Sequence, residues 1–253
     1  MRRSTRTIFC IEGSRGNLDG VSPTVRRYAE YVAKHADLRI AISEFLAWDL
    51  RDLTGLTSDF IIPVGVDTRC FTPPPPRDHA TLTVLFVGHL IERKGPHLVL
   101  EAAKHFPHTC FRMIGHPRDD FGRNLRDAPR RLGLANVIIE DPVSQVQLAK
   151  IMQESDILLL PSRVEGIPKV TLEAAATGLP CVVFDDYRTP SVLNGTTGFL
   201  VKTFDEMLDR LRVLIDDQSL RRKMSFASVE HAKMFDWDLV ARRWSDLFLR
   251  VAA

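Results

Sequence analysis

A chain of 253 residues with 45% hydrophobic residues and a formal net charge of +2 can bury one large core or one and a half smaller ones, and is too near neutral to argue for nucleic acid. Cys10, Cys70, Cys110 and Cys181 are scattered, with no CxxC or Cys/His cluster, which argues against a zinc site or a disulfide framework and for reduced thiols in the cytoplasm. No apolar run approaches the roughly 20 residues of a membrane helix, and Thr7 to Ile11 is too short for a signal-peptide core.

In chain order, Arg2, Arg3, Arg6, Arg26 and Arg27 make the first part locally basic, either as solvated surface or as a contact for an anionic membrane or partner. Thr7 to Ile11 reads as a strand and the following GSRGNLDG as a loop, by its glycines. Val25 to Lys34 has apolar positions at helical spacing, and Leu38 to Ile42 reads as a strand. Ser43 offers an N-cap to a helix running through Leu53, and Gly55 stops it. Pro73 to Pro76 is a stiff linker and a natural domain boundary.

From Thr81 strands and helices alternate. The strands are Thr83 to Val87, Phe111 to Ile114, Val137 to Ile139, Ile157 to Leu160, Cys181 to Phe184 and Gly198 to Val201. Helices are predicted over Pro96 to His105, across Asn124 to Leu132, and after Ser144. This alternation predicts a Rossmann-type doubly wound parallel sheet, an α/β fold, and three amphipathic segments then close the chain.

The most informative stretch is LLLPSRVEGIPKVTLEAAATGLP, Leu158 to Pro180. A doubly buried strand leads through a loop to Pro168, placed at the first helical position, where its missing donor costs nothing. The helix runs through Glu173 to Thr177 and ends at Gly178 and Pro180. The backbone N–H groups of Gly166, Ile167, Pro168's successor Lys169 and Val170 then face the carboxyl end of a parallel strand, and this is a phosphate seat. Glu165 and Glu173 flank it, with seven residues between them.

This block resembles the E-x7-E signature of retaining glycosyltransferases of the GT-B fold, of the group 1 or family 4 type, and the likeness extends from about Arg39 to the C-terminus. The resemblance implies a GT-B-like architecture. Residues 1–76 would be a truncated, acceptor-side portion with its linker, 77–235 a nucleotide-sugar donor domain, and 236–253 a helix that crosses back to brace the first portion. In VGHLIERKGP, Gly88 ends a strand and Lys94 fits the family's donor-phosphate lysine, while His89 occupies the place of its arginine. A conditional, single-donor imidazole there replaces a permanent bidentate cation. The resemblance gives Glu173 the ribose hydroxyls and Glu165 the donor sugar, against the plainer possibilities of a solvated helix residue and a helix-capping carboxylate. Gly166, Ile167, Pro168, Lys169 and Val170 would hold the sugar and diphosphate.

The family usually has asparagine before the glycine where this chain has Val64, and Glu12 or Gly13 would stand where the family carries a catalytic-side histidine. Asp141 either reads the nucleotide base or is a loop residue. Asp236-Trp-Asp238 spells a metal-binding DxD, but its place at the start of the last helix suits N-cap aspartates, so no metal is expected. The implied activity is metal-independent transfer of a hexosyl group, with retention, from a nucleotide-diphosphate sugar to a glycan, lipid or small-molecule acceptor. No separate cofactor is implied. The short first portion and the apolar Trp244, Leu247 and Phe248 of the last helix lead to an expected association with a partner chain or a second copy.

Overall fold

A computed structural model describes residues 6–13, 22–75 and 81–252. Arg2, Arg3, most of the loop GSRGNLDG and Pro76 of the expected linker lie outside the described residues.

The first lobe holds β1 (Ile8–Ile11), α1 (Pro23–His35), β2 (Leu38–Ala41), α2 (Glu44–Thr54) and β3 (Phe60–Ile61), with the strands parallel in the order β1-β2-β3. Ser43 caps α2 by accepting from the Leu46 N–H at 3.2 Å, and Gly55 ends it at φ 74°. The two-residue β3 has no sequence signature. It exists because Asp59 accepts from the Arg39 N–H at 2.7 Å and donates its own N–H to the Arg39 carbonyl at 2.7 Å.

The second lobe holds β4 (Thr83–Val87), α3 (Pro96–His105), β5 (Cys110–Ile114), α4 (Asp120–Arg126), α5 (Ala128–Leu132), β6 (Val137–Glu140), α6 (Gln145–Gln153), β7 (Ile157–Leu160), α7 (Lys169–Thr177), β8 (Cys181–Phe184), β9 (Gly198–Val201), α8 (Phe204–Asp216) and α9 (Gln218–Ala232). Its six parallel strands lie in the order β6-β5-β4-β7-β8-β9, which is the doubly wound order 3-2-1-4-5-6 counted within the lobe. β7 and β8 are buried along their whole length, as an apolar run in a doubly covered sheet must be.

Two local expectations change. The helix expected across Asn124 to Leu132 is two helices, because Pro129, near the start of α5, cannot donate into a continuous helix. Pro168 is the N-cap of α7, with extended φ −66° and ψ 114°, so its carbonyl rather than its nitrogen serves the helix.

The lobes are joined where residues 66–68 meet the start of the last helix. Val66 N–H donates to the Phe235 carbonyl at 2.8 Å and Trp237 N–H to the Val66 carbonyl at 3.0 Å, while Thr68 donates to Asp236. α10 (Trp237–Ala252) then returns to the first lobe, where Val240 and Leu247 pack with Ile40 and Ile62. The exposed apolar face expected of this helix is therefore smaller. Leu247 is 4% exposed and Trp244 packs beside it, while Phe248 and Leu249 stay in solvent at 52% and 68%, as do Trp237 and Leu239 in the helix's first turn.

Candidate active site

The strand order reverses between β4 and β7, and a cleft of about 320 Å³ opens there beyond their carboxyl ends. Gly88, His89 and Lys94 line one wall and Pro168, Lys169 and Val170 the other. Ile114, Gly115 and His116 form the floor beside Pro142, Val143 and Leu148. A larger hollow of about 470 Å³, lined by His97, Phe121 and Leu132 among others, lies between α3 and α4–α5, away from the strand ends.

After β4 the chain turns through a short 3-10 segment, Glu92–Lys94, into α3. Gly95 ends that turn at φ 68°, and a Cβ there would collide with the Pro161 carbonyl. The contact seats Lys94's turn directly on the loop that follows β7. Arg93 strengthens the seam, donating from Nη1 to the Val164 carbonyl at 3.2 Å, and its own carbonyl accepts from Ser162 Oγ at 3.3 Å. Across the seam Lys94 forms an ion pair with Glu165. The two side chains are 16% and 10% exposed, so this pair is largely desolvated and each charge depends on the other.

α7 begins with no side-chain cap, so the N–H groups at its first positions, Lys169 and Val170, have no intrahelical acceptor and face the cleft. Behind them Thr171 Oγ1 donates to the Pro168 carbonyl at 2.7 Å and lies 2.6 Å from Ser191 Oγ, which lies 2.7 Å from Thr189 Oγ1. This buried hydroxyl chain ties the helix start to the loop after β8. Glu173 sits one turn inside α7, beyond the residues that line the cleft. Burial pushes its carboxyl up to about 7, against the opposing positive charge of Lys169.

Gly166 and Ile167 are buried at the back of the seat. A Cβ on Gly166 would overlap the Glu12 carbonyl oxygen, so the end of β1 closes directly on the loop that carries Glu165. Gly166→Ala is expected to destabilise the chain by about 1 to 3 kcal/mol, since backbone on both sides leaves nothing flexible to yield. Thermal denaturation of the purified variant measures this, and an unchanged transition would show that the lobes separate there at no cost.

His89 is half-buried. Burial first, then the positive charges of Arg118, Lys94, His116 and Arg93, push its imidazole below the ordinary histidine range, which favours the neutral ring. Asp141 is paired with Arg126. Asp236 accepts from Thr68 and from the Asp238 N–H at 2.9 Å, and Asp238 faces Arg69 at 3.8 Å, so both aspartates serve the lobe junction and the start of α10.

Three neighbours of the site were not evident from sequence. His116 and Arg118 follow β5, and Tyr187 follows β8. Tyr187 is 1% exposed and its hydroxyl has no hydrogen-bond partner; burial first, then the negative charge of Glu165, push that hydroxyl well above its ordinary range. The strand order is the signal that would have found them, because it brings the ends of β5 and β8 beside those of β4 and β7.

Residues 72–230 match the family model described as "Glycosyl transferases group 1". The chain is 30% identical over 211 residues to the D-inositol 3-phosphate glycosyltransferase of Corynebacterium diphtheriae, covering 74% of this chain and 49% of that protein. It is 28% identical over 275 residues to the enzyme of the same name from Corynebacterium aurimucosum, covering 97% of this chain and 65% of that one. The chain thus spans about half to two thirds of the length of these curated relatives. Among solved structures, sucrose-phosphate synthase from Thermosynechococcus elongatus superposes with a TM-score of 0.86 at 20% identity, covering 96% of this chain and 67% of the other. Anabaena HepE in complex with UDP-glucose superposes at 0.85 with 20% identity, covering 96% and 72%. With well over half of its length inside the family's pattern, the chain belongs to the group 1 glycosyltransferases and has their GT-B type of α/β fold.

Proposed function

We propose that the protein transfers a hexosyl group from a nucleotide-diphosphate sugar to an acceptor, with retention and without a metal. The observation that carries this reading is the desolvated Lys94–Glu165 pair beside the uncapped start of α7, at the point where the strand order reverses. The bond that breaks joins the anomeric carbon of the sugar to a diphosphate oxygen, and its electron pair leaves with the diphosphate. Positive charge already in place at that oxygen lowers the barrier, and Lys94 with the N–H groups of α7 provides it. Glu165 holds the Lys94 ammonium toward the cleft and faces the sugar, and Glu173 accepts from the ribose hydroxyls. The neighbour solved with UDP-glucose supports a sugar nucleotide as donor.

The acceptor is a glycan, a lipid or a small molecule, and the protein works in the cytoplasm or at a membrane surface. No helix among the described residues is long and apolar enough to cross a membrane. A thermal-shift panel of UDP, GDP, ADP and their sugars tests donor binding, because a ligand of the folded state raises its melting temperature. No shift at about millimolar nucleotide would overturn the reading. Turnover that survives a chelator, and a product with the donor's anomeric configuration, would support the two finer claims.

A second reading is favoured by the first lobe, whose described residues offer only three strands opposite the donor lobe. In it the chain binds donor as one subunit of a split enzyme, or as a remnant without transfer. Holding an acceptor on the opposite wall can be worth several kcal/mol of the barrier. Association would then involve the first lobe and the exposed Phe248 and Leu249. Light scattering together with a diphosphate-release assay separates the readings. A monomer that turns over donor onto a defined acceptor is a complete enzyme, and a donor-binding chain without turnover is a subunit or a remnant.

His89→Arg tests the imidazole. At about pH 8 the variant should bind a UDP-sugar several-fold more tightly than the parent, and the advantage should shrink as the pH falls below the ordinary histidine range and His89 takes up a proton in the parent. Taking the ratio of the two proteins at each pH cancels other titrating groups. A ratio of one throughout would leave His89 as packing.

A further inference from the structure

His89 stands in the cleft where a permanent charge would serve a diphosphate, and the neighbouring loop carries Arg118. Residues 88–91 run beside 114–117. Gly88 N–H donates to the Ile114 carbonyl at 3.0 Å, Leu90 N–H donates to the His116 carbonyl at 3.0 Å, and Leu90 pairs with Pro117 in a parallel bridge. A Cβ on Gly115 would overlap the Gly88 carbonyl, so the two loops are in direct contact. This register sets Arg118 just past the stretch Ile114 to His116 that forms the cleft floor. On the far side Asp119 caps α4 by accepting from the Gly122 N–H at 2.9 Å. The backbone at Arg118 is thus held from both sides while the side chain remains exposed.

Of the other cations around the cleft, Lys169 lines it with an exposed side chain, and the arginines and Lys94 are engaged. Lys94 pairs with Glu165, Arg93 donates to Val164, and Arg126 pairs with Asp141. Arg163 bonds Asp186 at 2.9 Å and lies 3.9 Å over the Phe184 ring, and the charge of Lys169 acts on Glu173. Arg118 has no hydrogen bond or ion pair among the described residues, and of the charged groups it acts most strongly on His89, ahead of Lys94. A guanidinium that the fold positions without a protein partner, two residues past the His116 that lines the cleft, is available to an anion bound there.

We infer that Arg118 is the diphosphate-binding guanidinium of this site, reaching beside His89 to the outer phosphate and supplying the permanent charge that the imidazole lacks. His89 then serves as a neutral hydrogen-bond donor. The inference rests on the donor reading above and adds to it a phosphate ligand from the loop after β5.

The test is calorimetric titration of the parent and of Arg118→Ala with UDP, GDP and ADP, each set against its monophosphate. For the diphosphate that binds the parent, Arg118→Ala should weaken affinity about tenfold, while affinity for the corresponding monophosphate changes less than about twofold. Arg118→Lys should recover part of the loss, and His89→Arg placed in the Arg118→Ala background should recover most of it. The parent's diphosphate affinity should also fall more steeply with added salt than the variant's. An Arg118→Ala protein that binds diphosphate as the parent does, or that loses diphosphate and monophosphate equally, overturns the inference and leaves the donor reading intact. A parent that binds none of the three diphosphates overturns the donor reading, and this inference falls with it.

Discussion

Lys94→Ala should abolish measurable donor binding and lower the folding stability by about 2 to 4 kcal/mol, the cost of leaving a largely buried carboxylate without its counter-charge. The size follows from the burial of the pair. With side-chain exposures of 16% and 10%, neither Lys94 nor Glu165 can be rehydrated without opening the seam between the turn after β4 and the loop after β7. The double variant Lys94→Met with Glu165→Gln separates the two losses. It removes both charges, so stability should return to within about 1 kcal/mol of the parent while donor binding stays lost. Urea denaturation and nucleotide titration of the three proteins measure this. A double variant that recovers binding along with stability would make the pair purely structural. The ammonium can hold Glu165 and still meet a phosphate, because it carries three donors.

That pair also marks the limit of what the sequence discloses. The Ile157 to Leu160 run, the Ser43 and Ser144 caps and the glycines at 55 and 178 are local signals, and the elements they predict are the ones observed. The doubly wound lobe was legible for the same reason, since each of its strands is apolar in its own right. β3 was not, because two residues gain strand character only from the pairing of Asp59 with Arg39. The division between α4 and α5 was masked by an amphipathic pattern that continues across Pro129. In the site, Lys94 and Glu165 were each singled out, but nothing local to either of them encodes a contact across 71 residues of chain. Arg118 and Tyr187 carry no motif, and only the strand order brings the loops after β5 and β8 to the cleft. The burial of Leu247 depends likewise on α10 crossing to a sheet formed by the other end of the chain.

Glu173→Gln should stabilise the protein and weaken the donor, two effects of opposite direction at one position. Burial raises the folded-state value of this carboxyl from 4.5 to about 7. The unfolded chain therefore releases the proton first as pH rises, and the stability that protonated Glu173 contributes is fully present below about pH 4.5 and lost as pH climbs through about 7. Glutamine does not titrate. Its advantage over the parent should be near zero in acid, grow through that window, and level off above pH 7 at about 1 to 3 kcal/mol, which for a chain of this size is a rise of about 2 to 10 °C in the melting temperature. Donor binding should respond the other way. A carboxylate can accept from two vicinal ribose hydroxyls at once, so binding favours the ionised form, and the parent's affinity relative to the variant's should increase as pH rises through 7, reaching about tenfold. Groups that titrate elsewhere in the molecule cancel between the two proteins. Denaturation curves and nucleotide titrations at matched pH values decide the matter: a variant that gains stability above pH 7 and binds the donor as well as the parent would make Glu173 a buried helix residue with no part in holding the ribose.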